Sequence, residues 1–307
     1  MINDSENSQP KKESIAASIE TFKKQHGLID DGNKTINAMP TAPLRTNFNP
    51  QDFEKAMAKE TDPDLMTTYE IVKLPSQGMF YTNGLSEVNV EYMTSKDEDL
   101  LTTPSLIESG NVINLLLKRK IKTAGVVVED LLDGDRNAII LFLRTSSYGA
   151  DYTVQVPDPR TGIPFTTKVD LLKLKYKELT EMPDQAGHFF VDIPMRKKKI
   201  TLRLLTSGEG SIISKKADAI KEAYGQEVND YNTMKLKAHI IAIDDKTDRS
   251  YIDKFVDAMP ALDAYTIRKK ILAISPDVDM TYEFMAKDGY KFYANLAVGI
   301  DFFFPNT

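Results

Sequence analysis

The side chains best suited to proton transfer or metal binding are scarce in this chain. His26, His188 and His239 are its three histidines, and it has no cysteine. Nucleophilic catalysis needs a hydroxyl or thiol within hydrogen-bond reach of a base that a third group orients. None of the histidines stands beside a Ser or Asp motif of that kind, so they read as surface or structurally satisfied residues. Asp133, Asp135 and Asn137 have the spacing of the first ligands of a calcium loop. That loop demands Gly at its sixth position and a bidentate Glu at its twelfth, where this chain has Ala138 and Arg144. The three residues therefore predict a helix N-terminal cap. Gly208 and Gly210 form a bare G-x-G, without the third glycine and preceding parallel strand of a dinucleotide site. Lack of cysteine excludes disulfides and thiolate metal sites. The sequence assigns no catalytic, cofactor-binding or metal-binding residue, and the expectation is a protein that is not an enzyme.

Charge and aromatic residues point to contacts rather than chemistry. The net charge of -6 supplies no general attraction to nucleic acid or anionic membrane. Two basic runs stand out, Lys118 to Lys122 and Arg196 to Lys199. The first ends an apolar helical stretch, where cations suit the negative end of the helix dipole. The second leads into a strand and reads as a solvated edge that discourages sheet-to-sheet association. No apolar run approaches the ~20 residues that span a bilayer, and the first residues lack the apolar centre of a signal peptide. The chain is expected to act in a cytoplasm without a membrane. Aromatic residues cluster at Met79 to Tyr81, at His188 to Phe190 and at Ile300 to Pro305. Phe80, Tyr81, Phe302, Phe303 and Phe304 are the candidates for partner contacts.

The elements that would position these residues follow from hydrophobic period and turn chemistry. Residues 1–66 are polar, without sustained period, and read as a disordered tail. It is interrupted by one amphipathic helical stripe, Ile15, Ile19, Phe22 and His26, suited to docking on a partner or on the chain itself. From Thr68 the pattern is strand, turn and strand, with Pro75, Gly78 and the pair Asn83-Gly84 marking turns. Thr103 is placed to cap a helix that opens at Pro104 and runs through Lys120. A further helix ends at Gly149, and a hairpin follows through the proline-rich turn Pro157 to Gly162. A linker holding Pro183 and Gly187 leads to a second strand pair. A longer helical part then runs from Gly210 to Ile274, interrupted at Asp244-Asp245 and Pro260. A last hairpin turns at Asp288-Gly289. The expected organisation is a tail over 1–66, a module over 67–176 and a second over 186–307. The fold class is α+β, with antiparallel strands and a helical part in each module.

The two modules are related. Thr94-Ser95 aligns with Thr206-Ser207 at an offset of 112 residues (206 minus 94), and Gly134 to Val156 aligns with Leu262 to Phe284 at an offset of 128 (262 minus 134). The difference between offsets places a 16-residue insertion (128 minus 112) in the helical part of the second copy. The turns Pro157 to Gly162 and Met285 to Tyr290 are then expected at equivalent hairpin tips.

The segments Leu74 to Tyr81 (LPSQGMFY), Glu91 to Ile121, Asp130 to Val154 (with its GDR helix), Pro276 to Phe284 and the terminal GIDFFFP resemble the baseplate hub subunit family of T-even-type contractile-tailed phages. The resemblance covers about residues 68 to 307. It implies a tail protein, a hub subunit or an assembly factor for the hub, that works through contacts with other baseplate or tail proteins. It would be found in the infected cell during assembly and in the tail baseplate, and a homo-oligomer is compatible with it. The family pattern carries cysteine pairs of a zinc-knuckle type at both hairpin turns, and here those turns read PDPRTG and MAKDGY, so no metal role carries over. The alternative reading is a nucleic-acid-binding regulator built on the basic runs and a degenerate knuckle, whose binding would fall steeply with salt.

Overall fold

The computed structural model describes residues 68–225, 230–286, 288–296 and 300–303. The expected tail over 1–66, its helical stripe and Phe304 lie outside the described residues. The fold is α+β, made of short antiparallel sheets and helices. Strands β1 (Tyr69–Lys73) and β2 (Glu87–Glu91) open it as a hairpin in register Tyr69↔Glu91 to Lys73↔Glu87. Val88 and Val90 alternate inward between polar neighbours, the two-residue period of a half-buried strand. Helices α1 (Ser95–Leu101), α2 (Pro104–Glu108) and α3 (Val112–Lys120) follow. The single helix expected from Pro104 to Lys120 is thus two, because Gly110 takes φ +68 and turns the chain between them. Thr103 occupies the N-cap position of α2, yet its hydroxyl donates backward to the Asp99 carbonyl at 2.8 Å rather than capping. Helix α4 (Asp133–Tyr148) ends, as expected, at Gly149 with φ +80. Strands β3 (Asp151–Pro157) and β4 (Pro164–Asp170) close the first part as a second hairpin.

The second part has the same order with one addition. Strands β5 (Phe189–Ile193) and β6 (Lys198–Leu202) form a hairpin, followed by α5 (Ser207–Tyr224) and α6 (Tyr231–His239). The chain then returns as β7 (Ile240–Ile243) along β6, giving a three-stranded sheet of order β5-β6-β7. Of the second basic run, Arg196 and Lys197 lie in the exposed turn before β6, and Lys198 and Lys199 open this central strand rather than an edge: Lys198 pairs with Asp244 at 2.7 Å and Lys199 sits over the Phe190 ring. Helices α7 (Arg249–Asp257) and α8 (Ala261–Ile274) and the hairpin of β8 (Thr281–Met285) and β9 (Lys291–Asn295) complete it. Helix α7 shows why such a short segment holds: Asp248 caps it by accepting from the Tyr251 amide at 2.7 Å, and Ile252, Phe255 and Val256 line its buried face.

Two hydrophobic cores result among the described residues. One gathers Val72, Val88, Val90, Leu116, Leu117, Ile139, Leu143 and Val169, together with Phe284, Leu296, Phe302 and Phe303. The other gathers Phe189, Ile193, Ile200, Leu202, Ile240, Ile252 and Ile267. The last hairpin and the turn after it thus complete the core that β1 begins. Backbone bridges also join the halves, Leu132 with Thr206 and Tyr176 with Val278.

Candidate functional site

The two most specific motifs of the sequence, LPSQGMFY and GDRN, meet in space. The loop after β1 brings Ser76 and Tyr81 onto the first turn of α4. There the Ser76 amide donates to Asp135 Oδ1 at 2.9 Å and the Tyr81 hydroxyl donates to Asp135 Oδ2 at 2.5 Å. The same hydroxyl accepts from the Leu132 amide at 2.9 Å, so Tyr81 ties the loop to the helix start. The expected N-terminal cap by Asp133, Asp135 and Asn137 is corrected here. The cap position is Leu132, without a side-chain bond, and Asp135 turns away from its own helix to hold the loop. Each neighbour also has a packing task. A Cβ on Gly134 would come within 2.0 Å of the Pro276 carbonyl, Arg136 donates to Asn114 at 2.6 Å, and Asn137 donates to Asp277 at 3.0 Å. Gly78, at φ +78, has its missing Cβ aimed 2.5 Å from the Gly84 carbonyl, so both its freedom and its small size are required.

Burial pushes the Asp135 carboxyl above the ordinary aspartate range, with Asp277 adding to the rise against the bonds from Tyr81 and Ser76. Burial, and then Asp135 itself, drives the Tyr81 phenol far up, so it stays protonated and keeps donating. Asp135 and Ser76 are both fully buried. A carboxylate closed off from solvent and bonded on both oxygens is an anchor rather than a general base.

The second half repeats the arrangement. Asp263, fully buried, accepts from the Met195 amide at 2.8 Å and from the Arg196 amide at 3.1 Å, holding the β5-β6 turn as Asp135 holds the loop after β1. Asp135 and Asp263 are both the third residue of their helices, at an offset of 128 (263 minus 135). Thr94 and Thr206, at the offset of 112, each form a capping box, with Asp97 and Glu209 as partners.

A family model described as T4 bacteriophage base plate protein matches residues 66–289. The chain belongs to this family. No curated protein and no solved structure matches it. In this base plate family member, the matched span holds both motifs and both buried aspartates.

The predicted contact residues divide. Phe302 and Phe303 are 1% and 0% exposed, and Phe302 meets Tyr152 edge-on at 5.1 Å, so both rings serve the first core. Tyr81 is half-buried in its network, and Phe80, also half-buried, leaves the first half to stack on Phe189 at 5.9 Å against the second core. Both turns lie at hairpin tips, and the two tips meet, a contact the sequence did not predict. Arg160 lies between Asp158 and Asp288, at 2.9 and 2.8 Å, with its guanidinium over the Tyr290 ring, and Phe165 meets Phe292 at 6.1 Å. Arg160 holds both carboxyls below the ordinary range. With a cation already seated there and no cysteine in the chain, the tips do not fit a zinc ion. The guanidinium is what joins them. Among the described residues, no group of three or more acidic or histidine side chains is placed to hold a metal, and no helix is long and apolar enough to cross a membrane.

The remaining sequence candidates take structural places. His188 lies 3.7 Å from Asp184 in the linker, and His26 is outside the described residues. His239 is buried at the end of α6, against the Arg203 carbonyl. Gly208 lets α5 approach Glu129, whose backbone oxygen would be 2.9 Å from an added Cβ, so the G-x-G serves close packing. The burial of two cations escaped the sequence reading, which placed Lys120 in a basic run at a helix end. Lys120 Nζ lies 2.7 Å from Asp97, 3.1 Å from Glu91 and 2.8 Å from the Tyr92 carbonyl that accepts from it. Arg144, 1% exposed, donates to the Gly149 and Asp151 carbonyls and lies over the Tyr148 and Tyr152 rings. Both sit on the buried faces of their helices, with Leu116 and Ile140 four residues earlier, a signal visible in the sequence.

The surface offers contacts of two kinds. Strand β2 pairs with β1 on one side and bridges to Ile121 on the other, whereas Tyr69 and Ile71 on β1 are 59% and 60% exposed. Helix α8 presents Leu262, Tyr265 and Leu272, each more than half exposed, three and seven residues apart on one face.

Proposed function

We propose that this base plate protein is a subunit of the baseplate hub, or a factor that assembles it, acting without catalysis through contacts with other baseplate and tail proteins. It would work in the infected cell during assembly and take its place in the tail. The observation that carries this reading is the use of the LPSQGMFY and GDRN motifs. The Asp135 carboxylate, the Tyr81 hydroxyl and the Ser76 amide, which these motifs bring together, are engaged in fastening a loop to a helix, which leaves exposed strand edges and apolar rows as the working surface. The paired aspartates and paired capping boxes at offsets of 128 and 112 support a further part of the reading, that the two modules descend from one duplicated unit. The test is a deletion of this chain from the phage, with mass spectrometry of hub intermediates and finished tails. Failure to build hubs is expected; intact tails, with the chain missing from wild-type tails and intermediates alike, would overturn the proposal.

A further inference from the structure

The two basic runs of the sequence differ in what they meet. Each cation of the first, from Lys118 to Lys122, lies against a carboxylate, on Glu129, Asp97 or Glu91. In the second, Arg196 and Lys198 join Lys254 and Tyr251 in lining an open groove of about 530 Å³ between the β5-β6 turn and helix α7. Among the described residues, no carboxylate lines this groove. Lys198 pairs with Asp244 at 2.7 Å, whereas Arg196 and Lys254 have no carboxylate partner among the described residues. Arg196 is nonetheless held in place: its guanidinium lies 4.9 Å from the centre of the Phe255 ring and donates to the Ala258 carbonyl. Its remaining N–H groups are left for an anion, and a side chain already fixed loses little freedom in taking one. The groove therefore gathers three positive charges on a chain whose net charge is -6, and what complements it is an anion.

We propose that this groove receives an acidic segment of a partner protein, with aspartate or glutamate carboxylates seated on Arg196 and Lys254. A protein segment can confine its carboxylates to the positions that face the three cations. A nucleic acid strand carries a phosphate on every nucleotide, and beyond the groove those charges would meet a chain that is acidic on balance. The partner's place among baseplate and tail proteins rests on the function proposed above.

The full chain would be titrated at low salt with a fluorescein-labelled oligoglutamate peptide, with an oligoglutamine peptide of the same length and with a short oligothymidylate, and followed by anisotropy. Oligoglutamate alone is expected to bind, and added salt to weaken it. Arg196→Gln together with Lys254→Gln should lower its affinity about tenfold, since an exposed ion pair is worth up to about fivefold. Both side chains are exposed, so this variant is expected to fold. Lys118→Gln together with Lys122→Gln removes as much charge from cations that are already paired, and should change the affinity by less than about twofold. Equal losses from the two variants would reduce the binding to net charge and overturn the proposal. So would failure of oligoglutamate to bind, or tighter binding of oligothymidylate that disappears with Arg196 and Lys254. A photo-crosslinking residue introduced at Ala258, on the groove wall, should join in assembled hubs a peptide in which Asp and Glu outnumber Lys and Arg; crosslinks confined to peptides without that excess would refute the partner's part. The baseplate reading fails separately, by absence of the chain from hubs and tails, and oligoglutamate binding would survive that failure.

Discussion

Replacing Asp135 by alanine tests the junction on which the first half depends. The substitution removes the acceptor of two donors, the Ser76 amide and the Tyr81 hydroxyl, at a place with no access to solvent. A buried donor left without a partner costs about 1–3 kcal/mol, so the two together give about 2–6 kcal/mol. Part of that is returned, because burial already penalises the ionised carboxylate and raises its titration; a net loss of about 3 kcal/mol is expected. Asp263→Ala orphans the Met195 and Arg196 amides, but that turn is open, with Met195 61% exposed. Water can replace the carboxylate there, and the expected loss is about 1–2 kcal/mol. Urea unfolding followed by circular dichroism measures both, and hydrogen exchange should show the Ser76 amide losing protection in the first variant and the Met195 amide in the second. A loss below about 0.5 kcal/mol for Asp135→Ala, the level of an ordinary surface substitution, would refute the assignment of that carboxylate as the anchor.

Lys120→Met should cost about 3–5 kcal/mol, since it strands the buried Asp97 carboxylate, while the double variant Lys120→Met with Asp97→Leu should recover much of the loss in the same urea assay. Acidification acts through His239. Its folded pKa of about 4 lies below the ordinary 6.5, so the unfolded chain binds the extra proton first. This share of stability is complete above pH 6.5 and drains as pH falls toward 4. About 2 kcal/mol should be lost between pH 7 and pH 5, and His239→Gln should remove that dependence while leaving the one due to carboxylates. Arg160→Gln should leave the global unfolding midpoint nearly unchanged but raise hydrogen exchange at Thr161 and Gly289 several-fold, because it frees one hairpin tip from the other; raised salt should act on the wild-type chain in the same direction.

Much of this fold is legible locally. Gly149 and the Asp288-Gly289 turn mark their boundaries by backbone conformation alone, and Thr94 and Thr206 announce helix starts through the acidic residue three positions on. Strand β7 could not be read this way, because the four apolar residues Ile240 to Ile243 fit a buried helix turn as well as a strand, and only β6 beside them decides. The partners of Asp135 are likewise hidden. Its type and position suit a cap for its own helix, and the donors that claim it lie 54 and 59 residues away. Phe302 and Phe303 illustrate the same gap: an aromatic run is equally suited to core and interface, and burial, not composition, separates the two.

The placement of Phe284, Phe302 and Phe303 in the core begun by Val72 also governs how the protein can be made. Synthesis is vectorial, and the β1-β2 hairpin leaves the ribosome long before the rings that cover it, so the nascent first half waits with an incomplete interior. Closure over such a sequence separation is slow and exposes apolar surface in the interval. Completion of the chain thus becomes a checkpoint: a product that stops before Phe284 lacks the cover for its earliest strands and is material for proteolysis rather than for particle assembly.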